Sequence, residues 1–315
     1  MLNNQHYGVE IEFTGIVRER AAKVIADALG SVAQFIGGAY DEWLIVDGNG
    51  KKWKVMRDVS IRSEYWSRDN RRYQGYADRS AGKQYKNELV SPVLGWGDFD
   101  ALEKILAALG KTKAKVNNSC GLHVHVDGVD HTAGSLKNLV GLWVNKEEML
   151  YQALEVDFGR IDYAKKYQVG MNGYYGSDTK RFYELIMKEK YSSKDAVGAA
   201  YYESHHRTFS ERNTHYSNTR YYGLNLHSLW QKGTVEFRLF NSTLDFETAK
   251  AYIVMSMAIN ERALSGKGLS LKSGSGKMAR EVMVWWLERL GLRGKEFAGV
   301  RKVLAAKLPK LADVA

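Results

Sequence analysis

Side chains that can bind metal or carry charge occupy alternate positions in three segments of the sequence. By segment they are Glu10 and Glu12 in GVEIEF, His123 and His125 in GLHVHV, and Glu236 and Arg238 in TVEFRLF. In a β-strand, residues two apart project from the same face, so each segment predicts a strand with one apolar face and one reactive face. Glu88 begins a fourth strand-like segment, ELVSP. If these strands share a sheet, their reactive faces form one cluster.

Such a cluster of carboxylates is stable only if cations compensate its charge. Sites rich in carboxylate oxygens favour hard divalent ions, so the residue types indicate Mg²⁺ or Mn²⁺. Zinc is disfavoured because structural zinc sites combine several Cys and His residues, and this chain has a single cysteine. For any one strand taken alone, the alternative is the ordinary polar face of an antiparallel sheet that meets solvent.

A Cys/His catalytic pair is another chemistry that the segment CGLHVHV could carry. Cys120 and His123 are an odd number of positions apart, so their side chains diverge in a single strand. We therefore expect Cys120 to be buried and inert. A further alternative for the histidines is a hydrolase, in which a metal ion held by the His and Glu residues activates water.

The elements that must position these side chains are a mixture of strands and helices. Strands are predicted at 8–16, 87–94 and 114–128, and a hairpin at 42–58 around the turn DGNG. A second hairpin is predicted from YYGLNLHSLW and TVEFRLFNS, joined by QKG. Helices are predicted at 18–30, 98–110, 133–156, 245–264 and 277–290. Residues 61–86 and 157–219 have no period, and the first of these segments is predicted to be a long loop.

The composition is that of a folded globular protein, with 44% hydrophobic and 26% charged residues. A chain of 315 residues can bury a large core, and we expect one domain over residues 1–265, followed by a linker and a helical appendage over 266–315. The linker sequence SGSGK lacks the spacing of a phosphate-binding loop. One cysteine and the lack of a leader-like segment favour the cytoplasm. No apolar run reaches the roughly 18 residues that suggest a membrane span.

The formal net charge of +10 attracts anions such as nucleotides, acidic peptides or nucleic acid, without choosing among them. Residues 61–86 interleave Arg and Lys with Tyr and Trp, a composition that suits bases and phosphates. Nucleic-acid binding or modification is therefore an alternative function. A solvated loop, or a lid over an acidic substrate, uses the same residue types.

Six segments resemble, in order and approximate spacing, the motifs of the amidoligase family. They are GVEIEF, WKVMRDVSI, ELVSPVL, NSCGLHVHV, RYYGLNLHSL and GTVEFRLFNSTLD. The family is a branch of the carboxylate-amine ligases that share the fold of glutamine synthetase and glutamate-cysteine ligase. The resemblance spans about residues 8–264. It implies an α+β fold in which a curved antiparallel sheet carries the active site on its concave face and helices pack on the other face.

The resemblance also implies roles for individual residues. The implied metal ligands are Glu10, Glu12, Glu88, His125 and Glu236. His123 or His125 resembles a histidine that touches metal or phosphate, and Arg238 resembles an arginine that steadies the transferred phosphoryl group. The second and fifth motifs imply nucleotide, substrate or catalytic contacts for Lys54, Asp58, Arg220 and Asn225.

The implied reaction is the ATP- and Mg²⁺-dependent joining of a carboxylate to an amine through an acyl phosphate. Mn²⁺ can replace Mg²⁺ in a site of this kind. The partners are a carboxylate-bearing and an amine-bearing substrate, which can be small molecules, peptides or modified macromolecules. Specificity is expected in residues 61–86 and 157–219, where no pattern names either substrate. The sequence indicates no oligomeric state.

Overall fold

The structure of the chain is a computed structural model. It describes residues 2–75, 82–167, 177–188, 190–266 and 278–314, without the side chains of residues 177–181. The predicted Gly/Ser/Lys linker lies almost entirely outside the described residues, as do parts of the segments 61–86 and 157–219.

Strands and helices are mixed along the chain, as the sequence predicts. The strands are β1 (Tyr7–Phe13), β2 (Ala33–Gly37), β3 (Glu42–Val46), β4 (Lys52–Met56), β5 (Glu64–Ser67), β6 (Arg72–Gly75), β7 (Asn87–Val90), β8 (Gly121–Asp127), β9 (Leu224–Asn225) and β10 (Thr234–Asn241). The helices are α1 (Arg18–Ala28), α2 (Phe99–Gly110), α3 (Ala133–Ala153), α4 (Ser177–Lys188), α5 (Lys194–Ser204), α6 (His227–Lys232), α7 (Phe246–Ser265), α8 (Arg280–Arg289) and α9 (Ala298–Ala305).

Eight of these strands form one sheet in the order β2-β3-β4-β7-β1-β8-β10-β9, and every neighbouring pair in it is antiparallel. The predicted α+β class with a large antiparallel sheet is therefore confirmed. The strands that carry the reactive side chains are the four adjacent strands β7, β1, β8 and β10. The three charged faces predicted from the sequence thus lie side by side.

The opposite face of the sheet is apolar and is covered by helices. Aromatic side chains mark the contacts: Tyr7 of β1 stacks on Phe99 of α2, and Phe240 of β10 stacks on Tyr252 of α7, with ring centroids 5.3 and 4.3 Å apart. Trp143 of α3 meets the ring of Phe237 of β10 edge-on. These strands need an apolar residue at alternate positions because that face forms the hydrophobic core.

Strand β10 departs from simple alternation. Its pairing with β8 shifts register between Phe237 and Phe240, so that Phe240, and not Leu239, lies opposite Leu122 on the apolar face. Such a bulge places two residues of one strand against one residue of its neighbour. Arg238 lies within this irregular stretch.

The hairpin of β3 and β4 around DGNG is confirmed, and α1 ends next to Gly30 as predicted. The second predicted hairpin is wrong in part, because only two residues form β9 and the segment HSLWQK forms helix α6. Gly233 ends this helix with a φ of 77°, a conformation that glycine adopts without strain. Alternation over so few residues does not distinguish a strand from a helix.

The segments without period contain local structure. Within 61–86, β5 and β6 form a separate hairpin where a loop was predicted. Within 157–219, the first described element is a 3₁₀ turn, Phe158–Tyr163. Helices α8 and α9 belong to the predicted appendage, and their residues Leu287 and Leu304 are buried in the same hydrophobic core as the sheet. Across the described ranges, the helices are too short or too polar to cross a membrane.

Candidate functional site

Strand register brings the reactive side chains together in pairs. The opposing pairs are Glu10 with His123, Glu12 with Glu88, and His125 with Glu236. Directly opposed side chains in an antiparallel sheet lie within contact distance of each other. The pairs therefore form one cluster on the face that is not covered by the core helices.

His123 is at the centre of this cluster. Its Nδ1 lies 3.0 Å from Oε2 of Glu10 and 3.7 Å from Oε1 of Glu236, and its Nε2 lies 3.8 Å from Oε1 of Glu12. Only 4% of the residue is exposed. Burial and the nearby charge of Arg238 lower the pKa of His123 to about 4, so the imidazole is neutral at physiological pH. A neutral imidazole can offer a lone pair to a metal ion.

Glu12 and Glu88 form a pair of buried carboxylates. The backbone amide of Gly121 donates to Oε2 of Glu12 at 2.6 Å, whereas the carboxylate of Glu88 has no hydrogen bond or ion pair to any residue that the structure describes. Burial, assisted by Asp58, raises the pKa of Glu12 to about 7. Burial and the neighbouring carboxylates raise the pKa of Glu88 well above its ordinary value. Two carboxylates in this position repel each other, and either a bound proton or a shared cation relieves the repulsion.

Glu236 is the best-compensated carboxylate of the cluster. Arg238 donates a short hydrogen bond to Oε1 of Glu236, and Nδ2 of Asn225 donates to Oε2 at 2.7 Å. Although burial acts in the opposite direction, the charge of Arg238 and the histidines lower the pKa of Glu236 to about 2. Glu236 and Arg238 are thus a fixed ion pair at one side of the cluster.

His125 faces the other end of the cluster. Its Nδ1 lies 3.1 Å from Oγ1 of Thr234, and its buried Nε2 lies 3.3 Å from Oε1 of Glu10 without a hydrogen bond. Burial opposes protonation, but Glu236 and Glu10 together raise the pKa of His125. Glu10 has a pKa well below its ordinary value: burial tends to raise it, but the contacts with both histidines outweigh this effect.

Two groups of side chains could hold a metal ion in the described part of the chain. One group is Glu12, Glu88 and His123, and the other is Glu10, His123 and Glu236; in each, one ligand atom per residue lies within 4.8 Å of the others. His123 belongs to both groups and His125 to neither. Carboxylate oxygens with one imidazole nitrogen are a donor set that suits Mg²⁺ or Mn²⁺.

A cavity of about 370 Å³ opens beside the cluster and is rich in polar groups. Glu88, His123, Glu236 and Arg238 line it, together with the predicted residues Asp58, Arg220 and Asn225. Arg57 and Arg220 have no carboxylate within ion-pair distance among the described residues, and the Nε atom of each is buried without a hydrogen bond. The rings of Tyr216 and Tyr221 hold Arg220, at 5.1 and 5.0 Å from its guanidinium. These arginines are available to an anionic ligand.

A second cavity, of about 410 Å³, lies at the other end of the same sheet face. Its lining is mainly apolar and includes Gly8, Val90, Pro92, Val93 and Val129. Both cavities are lined by Glu10, Val90 and Lys232, so they meet there. Nζ of Lys232 lies 3.9 Å from Oε1 of Glu10.

The structure does not bring Lys54 into the cluster. Its Nζ pairs with Oε2 of Glu42 at 2.7 Å, and Lys54 lines neither of the two cavities. Asp58 lies on the cavity wall, where its Oδ1 accepts the backbone amide of Ser60 at 2.6 Å. Cys120 is buried, as predicted, and burial raises the pKa of its thiol to about 12, which agrees with an inert role.

Two positively charged side chains near the cluster were not predicted from the sequence. Arg160 lies in the segment without period and reaches Oε2 of Glu12 at 3.9 Å. Lys232 was predicted in the turn QKG, and it instead ends helix α6. No motif marks Arg160, whereas the Gly that follows Lys232 is a helix-ending signal that could have corrected the prediction.

The comparison with protein-family models agrees with the motifs. The sequence model of one family, described as "Putative amidoligase enzyme", matches residues 3–260. Among solved structures, the crystal structure of a bifunctional glutathione synthetase from Pasteurella multocida is similar at a TM-score of 0.42 and 11% sequence identity. The alignment covers 98% of this chain and 48% of that one, so this chain spans about half the length of the other. No curated protein sequence matches.

Proposed function

The chain belongs to the amidoligase family, as its motifs predicted, and from that premise we propose that it is an ATP- and Mg²⁺-dependent carboxylate-amine ligase. The observation that carries the proposal is the convergence of Glu12, Glu88 and His123 beside the Glu236–Arg238 ion pair, at the wall of an arginine-lined cavity. This arrangement combines a cation site with donors for a transferred phosphoryl group.

The metal ion is proposed to bind first to Glu12, Glu88 and His123. Glu236 already accepts from Arg238 and Asn225, whereas Glu88 has no such partner, so a cation compensates more charge in the Glu12–Glu88 group. Glu10 then serves as the acceptor for Nδ1 of His123, an arrangement that orients many metal-binding histidines. When bound, Mg²⁺ neutralises charge on the phosphoryl group with which ATP activates the carboxylate as an acyl phosphate.

The chain's own residues position the reactants. Arg238 is held by Glu236 at the cavity wall, where its remaining donors can contact phosphoryl oxygens. Arg57 and Arg220 offer donors to the anionic parts of the nucleotide or of the carboxylate substrate. Asp58 lines the same cavity and is proposed to accept the proton that the amine loses.

The two cavities suggest where on the sheet face each substrate binds. The apolar cavity suits the base of the nucleotide, and the polar cavity suits the carboxylate and the amine. A phosphate chain that passes between them would meet Lys232 at their junction.

Hydroxylamine trapping tests the proposed reaction without knowledge of the amine. The protein is incubated with Mg·ATP, hydroxylamine and a panel of carboxylates, and both ADP and hydroxamate are measured. We expect equal amounts of the two products with at least one carboxylate, and neither product after Glu12→Gln. The matched control is Glu64→Gln, which removes a half-buried carboxylate that pairs with Lys115 outside the cluster.

ADP release without hydroxamate from any carboxylate would contradict the proposal and favour hydrolysis of the β–γ phosphoanhydride of ATP instead. Full activity in Glu12→Gln would contradict the assignment of the site. Far-UV circular dichroism of both variants establishes that they are folded before their activities are compared.

A further inference from the structure

Arg160 contacts three strands of the sheet beside the cluster. Only 3% of the residue is exposed, so its guanidinium does not reach a substrate in either cavity. Its Nη1 lies 3.9 Å from Oε2 of Glu12 in β1, and its Nη2 donates to the carbonyl oxygen of Arg238 in β10 at 2.9 Å. Between these contacts the guanidinium lies against the backbone of Gly121, the first residue of β8.

The fit between Arg160 and Gly121 leaves no room for a side chain. A Cβ added to Gly121 would lie 1.9 Å from Nη1 and 2.4 Å from Cζ of Arg160. The φ of Gly121 is not in the left-handed region, so close approach and not backbone conformation requires glycine here. Gly121, the first residue of β8, therefore leaves the space that the guanidinium of Arg160 occupies.

These contacts fix which oxygen of Glu12 faces the cluster. Both the Gly121 amide and Arg160 approach Oε2, at 2.6 and 3.9 Å, whereas Oε1 lies 3.8 Å from Nε2 of His123. A carboxylate held by one oxygen presents the other in a defined direction. Glu12 is the one carboxylate within ion-pair distance of Arg160 among the residues that the structure describes.

The turn that carries Arg160 is itself fastened to β10. The amide of Asp157, which precedes the turn, donates to Oδ1 of Asn241 at 2.9 Å, and Nε of Arg238 donates to the carbonyl oxygen of Tyr163 at 3.4 Å. The turn Phe158–Tyr163 therefore contacts the Arg238 side chain through one end and Glu12 through its centre. It links the cation site to the phosphoryl-binding arginine.

We propose that Arg160 is a positioning residue, which holds Glu12 in the orientation that binds the divalent ion and holds the backbone of Arg238 beside it. The inference rests on the metal site of the proposed function. A lysine at this position keeps the charge but has one donor nitrogen in place of the two that contact Glu12 and the Arg238 carbonyl oxygen, so we expect it to lose one of these contacts. Loss of such a supporting contact lowers metal affinity by about 10- to 100-fold.

The test measures Mn²⁺ affinity, because loss of the free Mn²⁺ electron paramagnetic resonance signal reports binding without catalysis. Wild type, Arg160→Lys and Arg301→Lys are titrated, and thermal midpoints are recorded for each. Arg301 is the matched control, since it also donates to backbone carbonyl oxygens, those of Leu292 and Gly294, but lies in the C-terminal helices. We expect Arg160→Lys to raise the Mn²⁺ Kd by about tenfold or more, and Arg301→Lys to leave it unchanged.

A purely structural role predicts a different result, namely a lower thermal midpoint of Arg160→Lys with the wild-type Mn²⁺ Kd, and that result overturns the inference. If Arg160→Lys does not fold, Asn241→Ala loosens the turn from outside the cluster and should raise the Kd to a smaller extent; an unchanged Kd there overturns it as well. Wild type that binds no Mn²⁺ would overturn both the inference and the metal site. If wild type binds Mn²⁺ and Arg160→Lys raises the Kd as expected, but no ligase activity is found, the proposed reaction alone is overturned.

Discussion

Glu10 and His123 lie directly opposite each other on β1 and β8, with Oε2 of the carboxylate 3.0 Å from Nδ1 of the imidazole. A carboxylate at this distance favours the proton on Nδ1 and leaves the lone pair of Nε2 directed toward Glu12, 3.8 Å away. This contact distinguishes His123 from His125, either of which the sequence allowed as the histidine that touches metal or phosphate. His123 is therefore the proposed metal ligand, while His125 contacts Thr234 and Glu10 at the rim.

The first prediction follows from this separation. His123→Asn should weaken Mn²⁺ binding by more than about tenfold, because it removes a metal ligand, while His125→Asn should change the Kd far less. Each variant is the control for the other, since both remove an imidazole from the same strand. Titration of Mn²⁺ by electron paramagnetic resonance measures the difference, and a larger effect at His125 would contradict the assignment.

Glu88→Gln should separate metal binding from folding. The directly opposed Glu12 and Glu88 repel when both are ionised, so the variant should not lower the free energy of unfolding of the metal-free protein. Wild type should gain about 2.7 kcal/mol at a Mn²⁺ concentration 100 times its Kd, because the ion binds only the folded state. The variant should gain much less. Urea unfolding with and without Mn²⁺ checks this, and equal gains would argue against Glu88 as a ligand.

Gly8→Val should block the apolar cavity. The position opposes His125, and a Cβ there meets no atom closer than 3.8 Å, so we expect the backbone to keep its conformation while the added side chain occupies cavity space. We expect roughly tenfold weaker binding of a nonhydrolysable ATP analogue by calorimetry, from overpacking of about 1–3 kcal/mol. Mn²⁺ binding should be unchanged. Gly110→Val, remote from both cavities, is the control, and unaltered nucleotide binding in Gly8→Val would contradict the location of the base.

A pH dependence of stability is expected from His131, outside the cluster. Its Nδ1 contacts Oγ of Ser135 at 2.9 Å and its Nε2 contacts Oδ1 of Asn260 at 2.8 Å. Burial lowers the pKa of His131 below the usual 6.5, so the folded protein excludes a proton that the unfolded chain accepts. This contribution to stability is present above pH 6.5 and is lost as the pH falls toward the folded-state pKa.

His131→Gln should therefore flatten the fall in the free energy of unfolding below pH 6.5 relative to wild type. Denaturant unfolding at a series of pH values measures the two curves. Parallel curves would show that the buried imidazole does not titrate as its surroundings imply.

The sequence predicted those parts of the site that regular strands supply. Glu10, Glu12, His123 and Glu236 could be placed on one face because a strand has a strict period of two and the sheet brought three such strands together. Their opposition in pairs required the register, which no single strand encodes.

Other parts of the site depend on packing between distant segments and were missed or misplaced. Arg160 reaches Glu12 from a 3₁₀ turn in a segment whose sequence shows no periodic pattern. Its guanidinium occupies the space that a side chain at Gly121 would fill, a fit that only the structure shows. The segment that forms helix α6 was predicted as the end of a strand and a turn, because its short apolar pattern suits a strand and a helix alike. In the structure this helix packs against β10. Lys54 lies in β4, a strand that the sequence predicted, but its side chain pairs with Glu42 and not with the cluster.

Oxygen transfer tests the central claim, ATP-dependent activation of a carboxylate, most directly. A carboxylate that supports hydroxamate formation is labelled with ¹⁸O in its carboxyl group, and the inorganic phosphate produced is analysed by ³¹P nuclear magnetic resonance. An acyl phosphate leaves one carboxyl oxygen on the phosphate when the amine displaces it, so one ¹⁸O per phosphate is predicted. Phosphate without ¹⁸O would mean that water, not the carboxylate, attacks ATP, and would contradict the proposed ligase.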